Sequence, residues 1–179
     1  MVAQELCREL TPNSERIIVA GSLRRRKTEV GDVEILFVPK MGKIADLLDL
    51  LGHPMVVNFA EAAIESLLLS GVLEKRRNAN GVTAWGKANK LAVHQPSGIP
   101  VDLFTATLAN WWNYLVCRTG GAENNVAICQ GAIDRGWKWN PYGDGFSRGV
   151  DREETRAMHS EEEVFAFAGL EFLEPWERK

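Results

Sequence analysis

The stretch whose reading decides the fold is 21-GSLRRRKTEVGDVEIL-36. It follows the apolar run Arg16-Ile17-Ile18-Val19-Ala20 and opens with Gly-Ser. It crosses the cations Arg24, Arg25, Arg26 and Lys27, reaches Gly31, and ends on two acids, Asp32 and Glu34, one residue apart. Residues i and i+2 of a strand share a face, so Asp32 and Glu34 project together. Two ionised carboxylates side by side repel unless a cation lies between them. Hard oxygen donors of this kind suit magnesium or manganese. A solvated strand face is the bland alternative for such a pair.

A third acid sharpens the pattern. In 99-IPVDLF-104, Asp102 is a lone carboxylate in an apolar strand, and buried charges are rare unless paired or bound to metal. If this strand lies beside residues 33–38, three carboxylates converge as in a two-metal site for phosphoryl transfer. An edge-strand aspartate facing water is the competing reading. Upstream, Gly21 lets backbone amides approach an anion, Ser22 adds a hydroxyl, and Arg25 can fork onto phosphate oxygens. Gly31 is read as keeping the approach to Asp32 open. Phosphate donors and metal ligands on one rim are what nucleotide transfer requires.

The rest of the chain supplies the frame. Its 179 residues are enough for one domain or two small ones. No apolar run reaches the roughly 20 residues of a membrane helix, and the N-terminus lacks a signal-peptide core; a cytoplasmic location is expected, or a nucleoid or viral factory. Cys7, Cys117 and Cys129 are scattered and imply neither a disulfide framework nor a zinc site. The net charge is −3, but residues 151–179 carry nine acids against four cations. The remainder is therefore slightly basic, with clusters at Arg24–Lys27 and Lys75–Arg77, and charge acts locally.

Helices are expected over 1–10, 44–51, 59–70, 106–118 and 123–135, with a last one opened by a capping box of Ser160 with Glu163. Strands are expected over 16–20, 33–38, 72–76, 82–85, 90–94 and 99–104, with Asn80-Gly81 as a turn. In 33–38, Val33, Ile35 and Phe37 share one face; Glu34, Leu36 and Val38 share the other. Turns with short strands are expected over 136–149. The change of character near residue 107 divides the chain into a sheet domain, 1–107, and a smaller, mostly helical one, 108–179. Trp111-Trp112, Trp137 and Trp139 are read as core and His94 as structural. Lys75, Arg76, Arg77, Lys87 and Lys90 are candidate contacts to DNA phosphates or a solvated surface.

GSLRR, then GDVEIL, then VDLF resembles the palm of the family X DNA polymerases, in the nucleotidyltransferase superfamily. Thr119-Gly120-Gly121 with Asn125 resembles the thumb's TGS-x-x-x-N, and 160-SEEEVFAFAGLEFLEPWER-178 resembles its last helix and closing Glu-Pro-x-x-Arg. The resemblance covers residues 15 to 178. It implies an α+β fold: a nucleotidyltransferase palm, with a mixed β-sheet and helices on one face, plus a small, mostly helical thumb. It has the reduced palm-plus-thumb form, without the family's lyase and fingers domains.

The implied function is a metal-dependent DNA polymerase adding nucleotides to a primer 3′-hydroxyl in gap-filling repair, with release of pyrophosphate. Two Mg2+ or Mn2+ ions per site are implied on Asp32, Glu34 and Asp102. Gly21, Ser22, Arg25 and the backbone at Gly31 match the triphosphate site; Thr119, Gly120 and Asn125 match the segment lining sugar and base. The partners are nucleoside triphosphates and primer–template or gapped DNA, with no membrane, and the chain is expected as a monomer. Two rivals stand beside this: a transferase acting on an RNA end, a protein or a small molecule, and a non-catalytic nucleic-acid-binding module. The sequence departs from the family pattern at four places. Glu34 stands for Asp, Pro100 for an arginine two residues before Asp102, and Gly121 for Ser. Cys117-Arg118 replaces the aromatic pair that helps exclude ribonucleotides.

Overall fold

The computed structural model describes residues 1–45, 54–143 and 145–179. The chain opens with α1 (Val2–Leu10), a 3-10 turn at Thr11–Asn13 where Pro12 stops the helix, β1 (Ser14–Val19) and the one-turn α2 (Gly21–Arg24). β2 (Val33–Pro39), a ribbon of β3 (Met41–Ala45) and β4 (Pro54–Asn58), α3 (Phe59–Leu69), β5 (Leu73–Lys75), β6 (Asn89–His94) and β7 (Ile99–Thr105) follow. Then come α4 (Trp111–Thr119), α5 (Ala122–Asp134), β8 (Lys138–Asn140), β9 (Gly145–Arg148), β10 (Glu154–Arg156), α6 (Glu161–Ala168) and a 3-10 turn at Pro175–Glu177. This is an α+β architecture.

Five strands form one mixed sheet in the order β1-β2-β7-β6-β5. Only β2 and β7 run parallel; the other neighbours are antiparallel. The alternation read in β2 sorts its side chains to two faces. Val33, Ile35 and Phe37 join Leu6, Leu10, Ala60 and Ile64 in a core under α1 and α3. Leu36 and Val38 face Trp111, Tyr114 and Leu115 of α4 across Phe104. That packing sets α4 against the sheet face that also carries Glu34. A third core joins α4, α5 and α6 to the three-stranded β10-β9-β8 sheet through Val116, Ile128, Phe146 and Phe165.

Several elements differ from the sequence reading. Ile44 lies in β3, paired with Met55, rather than in a helix; residues 46–51 of that expected helix lie outside the described residues. Residues 82–85 make only isolated bridges, Arg77 to Thr83 and Trp85 to Lys90, because the Asn78 side chain and the turn at Gly81 take up the backbone groups. The helix expected from Ala106 starts at Trp111. Before it, Thr107 and Asn110 close a turn by exchanging side-chain and backbone bonds of 2.8 and 3.2 Å. At α6, Ser160 Oγ accepts from the Glu163 N–H at 3.2 Å, while the Glu163 carboxylate accepts from His159, one residue earlier than a regular capping box.

Candidate active site

The site begins at the end of β1. The chain turns at Gly21 with φ +61, a left-handed conformation that disfavours side chains. A Cβ there would also overlap Oε2 of Glu34. The Glu34 carboxylate therefore lies against bare backbone, and the Ala20 N–H donates to the Glu34 carbonyl at 2.8 Å. At Gly31 a Cβ would meet nothing within 4 Å, so no neighbouring protein atom demands glycine there. The Ser22 hydroxyl has no protein partner among the described residues.

The carboxylates come next. Glu34 and Asp102 are direct partners in the register of the parallel β2–β7 pair. Adjacent strands lie about 4.8 Å apart, so the two share a face as neighbours. Asp32 stands half-buried just before β2. Burial first, and then the charge of Asp32, pushes the Glu34 carboxyl up to about 7; Arg118 draws it back, Asp102 adds to the rise, and Arg25 opposes it. Asp102 is also raised, because burial outweighs the hydrogen bond and charge of Arg76. The three carboxylates do not form a ready ligand cage: among the described residues, no group of three or more His, Cys, Asp and Glu is assembled to hold a metal.

Arginines from unexpected positions attend these acids. Arg76, just beyond β5, ion-pairs with Oδ1 of Asp102 through Nη2. Arg76 is thus half-buried and turned toward Asp102. Lys90 is also inward: it is 2% exposed, donates to the Gly86 carbonyl and pairs with Glu61 at 2.8 Å. Lys75, Arg77 and Lys87 are exposed, with Lys75 over the Trp85 ring at 4.8 Å.

The cationic run of the opening stretch reaches the far end of the chain. Arg24 grips Glu161 with both terminal nitrogens, at 2.9 and 2.6 Å, and donates to Thr119 Oγ1 at 2.7 Å. Arg178 is fully buried and donates to the same carboxylate at 2.8 Å. Burial alone would raise the Glu161 carboxyl, but Arg24 and Arg178 hold it below the ordinary glutamate value. Arg25 Nη1 donates to the Thr119 carbonyl at 2.6 Å. Arg26 stacks on Trp176, 4.0 Å from the ring centroid.

The residues expected to line the nucleotide are knit into this clasp. Thr119 is buried, with its hydroxyl and its carbonyl both taken by arginines. Asn125 Nδ2 donates to the Cys117 carbonyl at 2.9 Å, leaving Oδ1 buried without a partner. Gly121, which departs from the family serine, lies against Lys179, whose backbone a Cβ would overlap. The Lys179 carbonyl accepts from the Asn124 N–H at 3.1 Å.

Glu161 had no assigned part in the site from sequence, and Arg76 was read only as a candidate phosphate contact. Arg118 stood out as a departure from the family pattern, and Arg178 as the closing residue of Glu-Pro-x-x-Arg.

Comparisons with known proteins agree with this architecture. Residues 114–179 match the family model described as DNA polymerase beta thumb. Two solved structures of Leishmania infantum polymerase beta superpose on the whole chain. One, a ternary P/T complex, has TM-score 0.70 at 20% identity, over 99% of this chain and 72% of that one. The other, a ternary gap complex, has TM-score 0.72 at 18% identity, over 99% and 67%. No curated protein matches the chain by sequence. The chain has a polymerase beta-like fold, and its residues 114–179 are similar to a polymerase beta thumb. Among the described residues no helix is long and apolar enough to cross a membrane.

Proposed function

We propose that the chain is a metal-dependent nucleotidyltransferase, a DNA polymerase that extends a primer 3′-hydroxyl and releases pyrophosphate. The observation that carries this is the register of Glu34 with Asp102 on parallel strands, with Asp32 crowding Glu34. Carboxylates driven toward protonation by burial and by one another gain from a cation, and oxygen donors suit magnesium or manganese. Asp32, Glu34 and Asp102 would hold up to two such ions. When bound, the ions would offset charge on the phosphoryl oxygens and ease deprotonation of the attacking hydroxyl.

The chain's own groups do the positioning. The turn at Gly21 and the free hydroxyl of Ser22 face an incoming triphosphate, with the backbone at Gly31 nearby. Arg25 keeps donors beyond its single bond to Thr119 for phosphate oxygens. Arg24 and Arg25 tie this turn to Thr119, so triphosphate site and thumb act as one unit. Thr119, Gly120 and Asn125 border the sugar and base. Lys75, Arg77 and Lys87 contact DNA phosphates, which makes binding fall with salt. The palm spans 1–107 and the thumb 108–179. The substrate is primer–template or gapped DNA, the setting is repair, and the chain acts as a monomer.

The test is incorporation of labelled nucleotides into a primed, gapped DNA with magnesium or manganese. Extension is expected, with a loss of about 100-fold or more in Asp102→Ala. No extension by the wild-type chain with either ion overturns the reading.

A further inference from the structure

A cleft of about 370 Å3 opens between the first turns of α5 and the segment that follows α6. α6 ends at Gly169, which is left-handed with φ +73, and the chain folds back without regular structure. Phe172 packs edge-on against Phe165, with ring centroids 5.4 Å apart. Arg178 stacks on both rings, at 5.0 and 5.5 Å, and its Nε donates to the Leu173 carbonyl at 2.9 Å. Arg178 is itself held by Glu161. With Phe172 turned in, Leu173 is left outward, 39% exposed, and lines the cleft with Leu170 and Ala127. The other wall is tied down as well, because the Lys179 carbonyl accepts from the Asn124 N–H at 3.1 Å. The hollow is therefore built before anything enters it, which lowers the ordering cost of binding.

The mouth of this apolar hollow is acidic. Glu123, Glu171 and Glu177 line it, all exposed, against the one ammonium of Lys179. Arg178 does not offset them, since it is buried on Glu161. Exposed carboxylates repel phosphates and attract ammonium and guanidinium groups. Nucleic acid and an anionic membrane are thus disfavoured on this face. A peptide with a large apolar side chain between lysines or arginines complements both hollow and rim. We propose that the cleft is a docking site for such a basic segment of a partner protein. Its apolar side chain enters between Ala127, Leu170 and Leu173, and its cations meet Glu123, Glu171 and Glu177. The surface shares no residue with the candidate active site, and the inference does not rest on the proposed function.

The test is fluorescence anisotropy of a labelled probe peptide, KRKLFKRK, titrated with the full chain at about 0.15 M salt. Saturable binding is expected. It should weaken about tenfold or more for KRKSSKRK, which lacks the apolar anchor, and for EEELFEEE, which reverses the charge. Ala127→Trp, at an exposed helical position, fills the hollow, and Glu123→Lys with Glu171→Lys reverses the rim; each should lose about tenfold or more. No saturable binding of KRKLFKRK overturns the inference, as does equal binding of KRKSSKRK, which requires no variant to fold. Folded variants with wild-type affinity overturn it too. A wild type that dimerises in sedimentation where Ala127→Trp is monomeric gives the cleft to a second copy. Loss of gapped-DNA binding in Ala127→Trp gives it to nucleic acid. Either result overturns the partner site and leaves the proposed function standing.

Discussion

Replacing Glu161 with Ala tests whether the clasp between the two ends of the chain holds the fold. Glu161 accepts three charge-assisted bonds, two from Arg24 and one from Arg178, at 2.6 to 2.9 Å. Arg178 is fully buried, so removing the carboxylate leaves a desolvated guanidinium without a counter-ion. Breaking a buried pair in this way costs about 3–5 kcal/mol. In a chain of this size each kcal/mol lowers Tm by roughly 2–4 °C, so a fall of about 6–20 °C is expected. Arg24→Ala should cost less, about 1–2 kcal/mol, because its side chain is partly exposed and Arg178 still pairs with Glu161. Glu161→Gln, which keeps the shape but not the charge, should stay close to Glu161→Ala. The acid limb carries a second signature. Arg24 and Arg178 depress the folded-state value of Glu161 despite its burial. Its contribution is therefore present above the ordinary glutamate value and lost as pH falls through the depressed one. Urea unfolding followed by tryptophan fluorescence, with thermal melts from pH 3 to 8, reads both effects. A Glu161→Ala chain within about 1 kcal/mol of wild type at neutral pH would refute the clasp as a stabilising element.

Two further predictions concern the turn and the acids. Gly21→Ala places a Cβ on Glu34 Oε2 and strains a left-handed backbone, so it should cost about 1–3 kcal/mol; urea midpoints check this, and an unchanged midpoint would show that Glu34 is free to move aside. Glu34, pushed up to about 7 in the folded chain, binds a proton more tightly folded than unfolded, so it removes stability as pH rises from the ordinary glutamate value to about 7. Glu34→Gln should therefore match wild type near pH 4.5 and exceed it at pH 8 in metal-free buffer; equal unfolding midpoints at pH 8 would contradict the crowding of the acids.

Much of this protein can be read along the chain, and the rest depends on which segments meet. The alternation of β2, the cap at Ser160, and the i, i+2 spacing of Asp32 and Glu34 are local, so residue order alone determined them. The β3–β4 ribbon escaped that reading because Ile44 has the sequence spacing of a helical stripe, whereas pairing across the ribbon decides that Ile44 lies in a strand. Register is likewise a property of two strands, and only the fold sets Glu34 against Asp102. The arginines show the same division. Arg76 pairs with Asp102 from 26 residues earlier in the chain. Arg24 finds its carboxylate 137 residues away. Charge acts through distance in space and not along the chain, so the residue types were written in the sequence, but which cation serves which acid was decided only by the tertiary structure.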